Sequence, residues 1–416
     1  MNEIEKWLTS RIGLNFRSGL DRIKQATRLL DNPEDSFPSI HVTGTNGKGS
    51  TIAFMSCLFS GQGKRVGSFT SPHMVNVRDR ICINSVPISE EDFIRIGQII
   101  QSMEIDLLKT QDQLSYFEIL TLLALLYFKE QQIDLALIEV GIGGLLDTTN
   151  IVTGDIAVIT SVGLDHQETL GNSIAAITEQ KTGIFKTGKK AVIGPLPTIA
   201  LPICQEKAQE LGVMIYEYGR DFSFQSNCFT NHDLVLHEIN LGLKGKYQEE
   251  NAGVALQAFY LMMLEQHWEI NPEQISLALS RTHWAGRLEE IKKGIYLDGA
   301  HNLPALERLV EFIKEQKNCQ STILFGALKR KDYSQMLDYL QKELPSAHLL
   351  VTRFDDPSSL EEAEAGSLPY TDDYRSFMKE FQSRKNPAEL LFITGSLYFI
   401  AEARDYLMKR EKARKE

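Results

Sequence analysis

A chain of 416 residues is too long to fold around a single core, so two domains are expected. A net charge of −11 excludes a nucleic-acid binder held mainly by phosphate contacts, yet leaves room for one small basic nucleotide pocket. The start, Met1-Asn2-Glu3-Ile4-Glu5-Lys6, has no apolar signal core, and no run approaches the roughly 18–20 apolar residues of a membrane span. The five cysteines are scattered without a C-x-x-C pair, which fits reduced thiols in the cytoplasm and no structural zinc.

In chain order, a helix entry at Ser18-Gly19-Leu20-Asp21-Arg22 is closed by Asn32-Pro33. Ile40-His41-Val42-Thr43 then reads as a buried strand and Thr51 to Phe59 as a helix. Between them, Gly44-Thr45-Asn46-Gly47-Lys48-Gly49-Ser50 has the composition of a phosphate cradle. Its glycines let N–H groups converge on a polyphosphate, the helix start adds a positive dipole end, and Lys48 brings a mobile charge. The spacing departs from G-x-x-x-x-G-K-[ST]: Val42 stands where the first glycine belongs, and Gly49 follows the lysine.

A strand from Arg65 to Thr70 ends in Ser71-Pro72-His73, and helical periodicity covers Glu90 to Met103 and Ser115 to Lys129. Asp134 to Val140 reads as a buried parallel strand ended by Gly141-Ile142-Gly143-Gly144, and Asp155 to Thr160 as another, leading into Gly163-Leu164-Asp165-His166. A helix over Ser173–Phe185 and a strand near Ala191–Gly194 continue the alternation, which predicts a mainly parallel sheet with ligands at the strands' carboxyl ends. Short β-type runs near 221–245 read as an insert, and a helix resumes near Glu249. After a boundary near Trp284 to Lys293, a second α/β series runs to the C-terminus. The expected domains are therefore 1–288 and 289–416.

Three polar groups fall at strand ends beside the cradle: Ser71, Glu139 and His166. An acid in so apolar a strand is costly unless its charge is used, and magnesium held by phosphate, hydroxyl and carboxylate would use it; the alternative is a core lysine partner. His166 reads by itself as a hydrogen-bonding loop histidine, Lys181 as a lysine snorkelling from an apolar helix face, and Asn251 as a helix cap. Arg287 suits a bidentate phosphate contact. Asp298 either binds a ribose hydroxyl or caps the next helix, and the run Lys329-Arg330-Lys331-Asp332 is either a cationic cluster or a solvated face.

Taken together in this order, these segments, with Leu146-Asp147, Thr149-Asn150, Trp284-Ala285-Gly286-Arg287 and Asp298-Gly299-Ala300-His301-Asn302, resemble the folylpolyglutamate synthase/dihydrofolate synthase family of the Mur ligase superfamily, over about residues 18–400. The resemblance implies an α/β fold: a P-loop ATP-binding domain with a mainly parallel sheet and a smaller Rossmann-like C-terminal domain, with the active site in the cleft between them. It implies that Thr45, Asn46, Gly47, Lys48, Gly49, Ser50, Asn251, Arg287 and Asp298 bind ATP, that Ser71, Glu139 and His166 hold Mg2+, and that Lys181 is carbamylated. Lys48, Lys181 and His301 are the implied catalytic residues, and Asp147 and Thr148 the implied folate contacts.

The implied reaction adds L-glutamate to the γ-carboxyl of a folate through an acyl phosphate, in a monomer whose partners are folate, L-glutamate and ATP. The family's usual Gly-Gly-Arg-Leu-Asp-Ala-Thr-Asn segment here carries Leu145 for the arginine and Thr148 for the alanine, which leaves dihydrofolate synthesis as an open second activity. The competing readings are a Mur-like ligase or P-loop kinase with another substrate, and a nucleotide-binding regulator without turnover.

Overall fold

The computed structural model describes residues 2–13, 19–316, 319–329, 332–384, 386 and 388–415, with side chains as far as residue 409. Ser18, Arg330 and Lys331, singled out in the sequence, lie outside the described residues. The chain divides into two compact units, one comprising Met1–Gly242 and Glu249–Thr282, the other Leu243–Gln248 and His283–Glu416.

The first unit is built on an eight-stranded sheet. Its strands are β1 (Ser39–Thr43), β2 (Val66–Phe69), β3 (Ile81–Ile83), β4 (Val86–Pro87), β5 (Leu135–Glu139), β6 (Ile156–Ile159), β7 (Lys190–Ile193) and β8 (Met214–Glu217). The order is β4-β3-β2-β5-β1-β6-β7-β8, parallel from β2 to β8, with β3 and β4 turning back antiparallel at one edge. The strand order reverses around β1: the chain goes from β1 outward to β2, back to β5, then across to β6 on the other side. That is the topological switch point, and the crevice at its carboxyl end is where open parallel sheets bind ligands.

Helices bury both faces. Ala136 and Ile138 of β5 pack with the helices Glu90–Leu107 and Tyr116–Glu130, while Leu135 and Leu137, pointing the other way, are also fully buried. This explains the unbroken apolar run of β5, since a strand covered on both sides has no solvent face to alternate with. The same holds for β6 and β7, whose Ala157, Ile159, Ala191 and Ile193 join Ile177, Ile184, Cys204 and Ala208 in a second core. Three short antiparallel strands, β9 (Phe222–Gln225), β10 (Cys228–Asn231) and β11 (Val235–Leu236), make a separate small sheet, as the turn-rich composition predicts.

The second unit carries a six-stranded sheet in the order β12-β13-β17-β14-β15-β16, from β12 (Glu289–Lys292), β13 (Ile295–Leu297), β14 (Gln320–Phe325), β15 (His348–Thr352), β16 (Tyr370–Thr371) and β17 (Glu389–Thr394). Only β12 is antiparallel. The chain is thus mixed α/β with a large, mostly parallel sheet and a second C-terminal sheet.

Candidate active site

The register places the ends of β1, β2, β5 and β6 along one edge: Val42 lies beside Glu139 and Val158, and Phe69 beside Ile138. The loop from β1 to the helix Lys48–Gly61 therefore emerges between the loops that follow β5 and β6. Gly47 caps that helix at φ +87°, a conformation that favours glycine, and a Cβ there would stand 2.4 Å from Asn251 Oδ1. Gly44 is equally confined, because a Cβ on it would lie 1.9 Å from Thr160 Oγ1. The helix begins three residues earlier than Thr51, so Lys48, Gly49 and Ser50 form its first turn, whose amides have no intrahelical acceptor.

The first half of the loop is bolted to the end of β6. Thr45 N–H donates to Ser161 O at 3.0 Å, and Thr45 Oγ1 both donates to Gly163 O and accepts from Gly163 N–H. Asn46 N–H donates to Ser161 Oγ at 2.9 Å, while Asn46 O accepts from Thr160 Oγ1 at 2.6 Å and from Ser161 Oγ at 2.9 Å. The amides of Thr45 and Asn46 are thereby committed to the loop's own anchoring. Thr160 and Ser161 were not singled out as site residues in the sequence, although hydroxyls at a buried strand's carboxyl end are the signal that picked out Ser71. Lys48 Nζ donates to Gly44 O at 2.9 Å, folded back over its own loop.

Glu139, the last residue of β5, is only 3% exposed, and its Oε2 accepts Ser71 N–H at 3.0 Å. His166 follows β6 with φ +50° and is exposed, its Nε2 4.0 Å from Asp165 Oδ1. Among the described residues no group of three or more His, Cys, Asp or Glu gathers as a metal site. One buried carboxylate with a neighbouring hydroxyl fits magnesium brought by a nucleotide, because Mg2+ typically takes one or two carboxylates and completes its shell with phosphate oxygens and water.

Lys181 lies in the last turn of the helix Ile174–Thr182, which Ser173 caps by accepting Ala176 N–H. At 3% exposure it is buried, which corrects the snorkelling reading. Burial, and next the nearby Lys48 charge, bring its pKa down to about 7, opposed by the Asp165 and Asp147 carboxylates. Asp147 is itself buried and spent on its own loop, accepting Ile142 N–H at 2.9 Å, Thr149 N–H at 3.0 Å and Thr149 Oγ1–H at 2.5 Å. Thr149 is met in turn by His41 Nε2 at 2.9 Å, and Thr43 Oγ1 donates to Gly143 O at 2.6 Å, so β1 holds the loop after β5. Thr148, beside Asp147, is half-buried.

Asn251 lies one turn inside the helix Tyr247–Glu265, so it is not that helix's cap; its amide faces Gly47 instead. In the second unit, Asp298 is buried at the end of β13, with Oδ2 accepting Leu288 N–H and Oδ1 accepting Ala300 N–H, both at 3.0 Å. The cap of the helix Leu303–Glu315 is Asn302, not Asp298. Burial raises the Asp298 pKa, and Arg287 opposes the rise. His301 Nδ1 lies 2.8 Å from Gly299 O, a carbonyl that can only accept, so Nδ1 carries a proton. Lys329 is paired with Glu361 and Glu364, which settles that part of the charged run as a surface ion-pair cluster.

Residues 42–259 match the Mur ligase middle domain. A dihydrofolate synthase/folylpolyglutamate synthase of Bacillus subtilis is 33% identical, covering 97% of this chain and 98% of its own length. The chain belongs to the folylpolyglutamate synthase family of Mur ligases. Among solved members, a folylpolyglutamate synthase complex with AMPPCP and folate aligns with a TM-score of 0.88 at 30% identity, covering 98% of this chain and all of that one. A bifunctional folylpolyglutamate synthase/dihydrofolate synthase with Mn, AMPPNP and L-glutamate bound aligns with a TM-score of 0.87 at 27% identity, covering 98% of each chain. No helix among the described residues is long and apolar enough to cross a membrane.

Proposed function

We propose that the protein is an ATP-dependent folylpolyglutamate synthase, adding L-glutamate to the γ-carboxyl of a reduced folate. One observation carries this reading: a glycine-rich phosphate loop and the buried Glu139 stand at adjoining parallel strand ends in a chain that aligns end to end with enzymes of that name. In the reaction, a folate γ-carboxylate oxygen attacks the γ-phosphorus of ATP and the bond to ADP breaks, giving an acyl phosphate. The glutamate amine then attacks the acyl carbon, loses a proton and expels phosphate.

Each unit is assigned its own groups. In the first, the amides from Gly47 to Ser50 and the Lys48 ammonium grip the phosphates, Thr45 and Asn46 shape the loop, and Asn251 buttresses it. Ser71, Glu139 and His166 would hold Mg2+, which when bound neutralises charge on the transferring phosphoryl group. Lys181 is assigned as a carbamate: near neutral pH a lysine with a pKa of about 7 is half unprotonated, and its free amine adds CO2 with loss of a proton. The product is an anion where a buried cation would face Lys48. Asp147 orders the loop that presents Thr148 to the folate. In the second unit, Arg287 and Asp298 contact ATP, with His301 beside them. The protein is taken to work as a cytoplasmic monomer.

The deciding experiment measures phosphate release from ATP with tetrahydrofolate, dihydropteroate and L-glutamate, singly and combined. Release that needs tetrahydrofolate and glutamate together is expected. Dihydropteroate is the second acceptor to try, given Leu145 and Thr148. Silence under every combination would sink the ligase reading.

A further inference from the structure

The turn that carries Arg287 is held from three directions, all within the second unit. Glu289 Oε2 accepts Gly286 N–H at 2.9 Å, Asp298 Oδ2 accepts Leu288 N–H at 3.0 Å, and Gly299 N–H donates to Gly286 O at 2.8 Å. Gly286 and Leu288 both take positive φ, +69° and +46°, so Arg287 sits between two left-handed residues. For leucine that conformation is strained and persists only where the surroundings impose it. The Arg287 side chain runs close over Gly299, where a Cβ would come within 2.2 Å of Nη1.

Glu289 is the first residue of the edge strand β12 and is 7% exposed. Arg404, from the C-terminal helix Leu397–Lys415, grips it: Nε lies 3.0 Å from both carboxylate oxygens and Nη2 lies 3.0 Å from Oε1. His283 Nε2 lies 3.5 Å from the same Oε1. Burial works to raise the Glu289 pKa, but His283, Arg404 and the Gly286 N–H together hold it down to about 2. Glu289 is stripped of water while Arg404 is half-buried, and an ion pair with a desolvated partner is a poor source of stability against an apolar pair of the same shape. What this pair does that an apolar pair cannot is accept the Gly286 N–H and fix the backbone next to Arg287.

We propose that Glu289, gripped by Arg404, is a positioning residue that aims the Arg287 guanidinium at the nucleotide by fixing the Gly286–Leu288 turn. This rests on the assignment of Arg287 as an ATP contact. The test is a double-mutant cycle in the full chain with Arg287→Ala, Glu289→Met and the two combined, reading the AMPPCP dissociation constant by calorimetry and the melting temperature alongside. Glu289→Met, which has a similar length and no oxygen to accept Gly286 N–H, is expected to weaken AMPPCP roughly tenfold in the native background and to add nothing once Arg287 is gone, the signature of two residues acting as one. Native affinity in Glu289→Met, or losses that multiply in the double variant, overturns the positioning role while leaving Arg287 its own. Unchanged affinity in Arg287→Ala overturns the assignment of Arg287 and this proposal with it. If Glu289→Met does not fold, Arg404→Lys takes its place in the cycle, keeping a cation but losing the planar fork, and is scored by the same outcomes.

Discussion

Asn251 Oδ1 occupies the space that any side chain on Gly47 would need, at 2.4 Å from the position of a Cβ. Two constraints thus coincide at Gly47, the steric one and a φ of +87°, which L-residues with a Cβ adopt at a cost of about 1–2 kcal/mol. Gly47→Ala is expected to push the loop off Asn251 and lower nucleotide affinity by roughly tenfold or more, since 1.4 kcal/mol is a factor of ten. Calorimetric titration with AMPPCP reads the affinity, and a thermal melt shows whether the loss is local. Native affinity in Gly47→Ala would mean that the loop is not the phosphate cradle.

The anchoring of the loop to β6 gives a second prediction. Ser161 Oγ is both acceptor for Asn46 N–H and donor to Asn46 O, so Ser161→Ala breaks two bonds to the backbone of one residue. Asn46 O keeps its bond from Thr160 Oγ1, so the change removes part of the anchor, at the usual cost of about 0.5–1.5 kcal/mol for each hydrogen bond lost. The loss is expected to appear as a raised KM for ATP, with the KM for folate little changed. Equal increases in both constants would show that Ser161 supports the sheet in general rather than the loop.

Much of this was legible in the sequence because the signals were strong and local. The apolar run Leu135–Ile138 marks a doubly covered strand, and the glycines between β1 and its helix mark the cradle. The helix Ala200–Leu211 was not assigned in the sequence, where Pro202 stands inside it; Pro202 is tolerated because it lies in the first turn, where its missing N–H has no helical acceptor to lose. Site residues that act through long-range bonds were invisible for a different reason. Ser161 matters because β6 lies beside β1, more than a hundred residues earlier, and spacing alone does not record strand order. Asn302 displaced Asp298 as the cap because the Asp298 carboxylate is drawn to Leu288 N–H across the sheet.

Lys181 links pH to stability with a definite sign. Its folded pKa, about 7, lies below the ordinary lysine value of 10.5, so between these values the unfolded chain holds the extra proton. In bicarbonate-free buffer, where carbamate cannot form, stability should rise as pH increases from 7 toward 10.5, by at most about 1.4 kcal/mol for each pH unit crossed. Lys181→Met should remove that part of the slope. Denaturant melts across this range compare the two proteins, and identical slopes would show that Lys181 is not a buried amine in solution. Adding 13C-bicarbonate to the native protein should yield a carbamate resonance that Lys181→Met lacks.

Glu139→Gln separates the fold from the metal. The amide oxygen of glutamine can still accept Ser71 N–H, so the bond between the β5 and β2 ends survives while the charge is lost. Because that bond is kept, the variant should fold and melt close to the native protein. Metal dependence should change sharply: activation by Mg2+ should need far higher concentrations, with turnover falling roughly a hundredfold, the scale on which losing electrostatic support for a charged transition state is felt. Binding of Mn2+ followed by its electron paramagnetic resonance signal, in the presence of AMPPCP, reads the same loss without turnover. If Glu139→Gln kept native Mn2+ affinity, the buried carboxylate at the end of β5 would be a structural partner of Ser71, and the metal would have to be sought on other oxygens of the same strand ends.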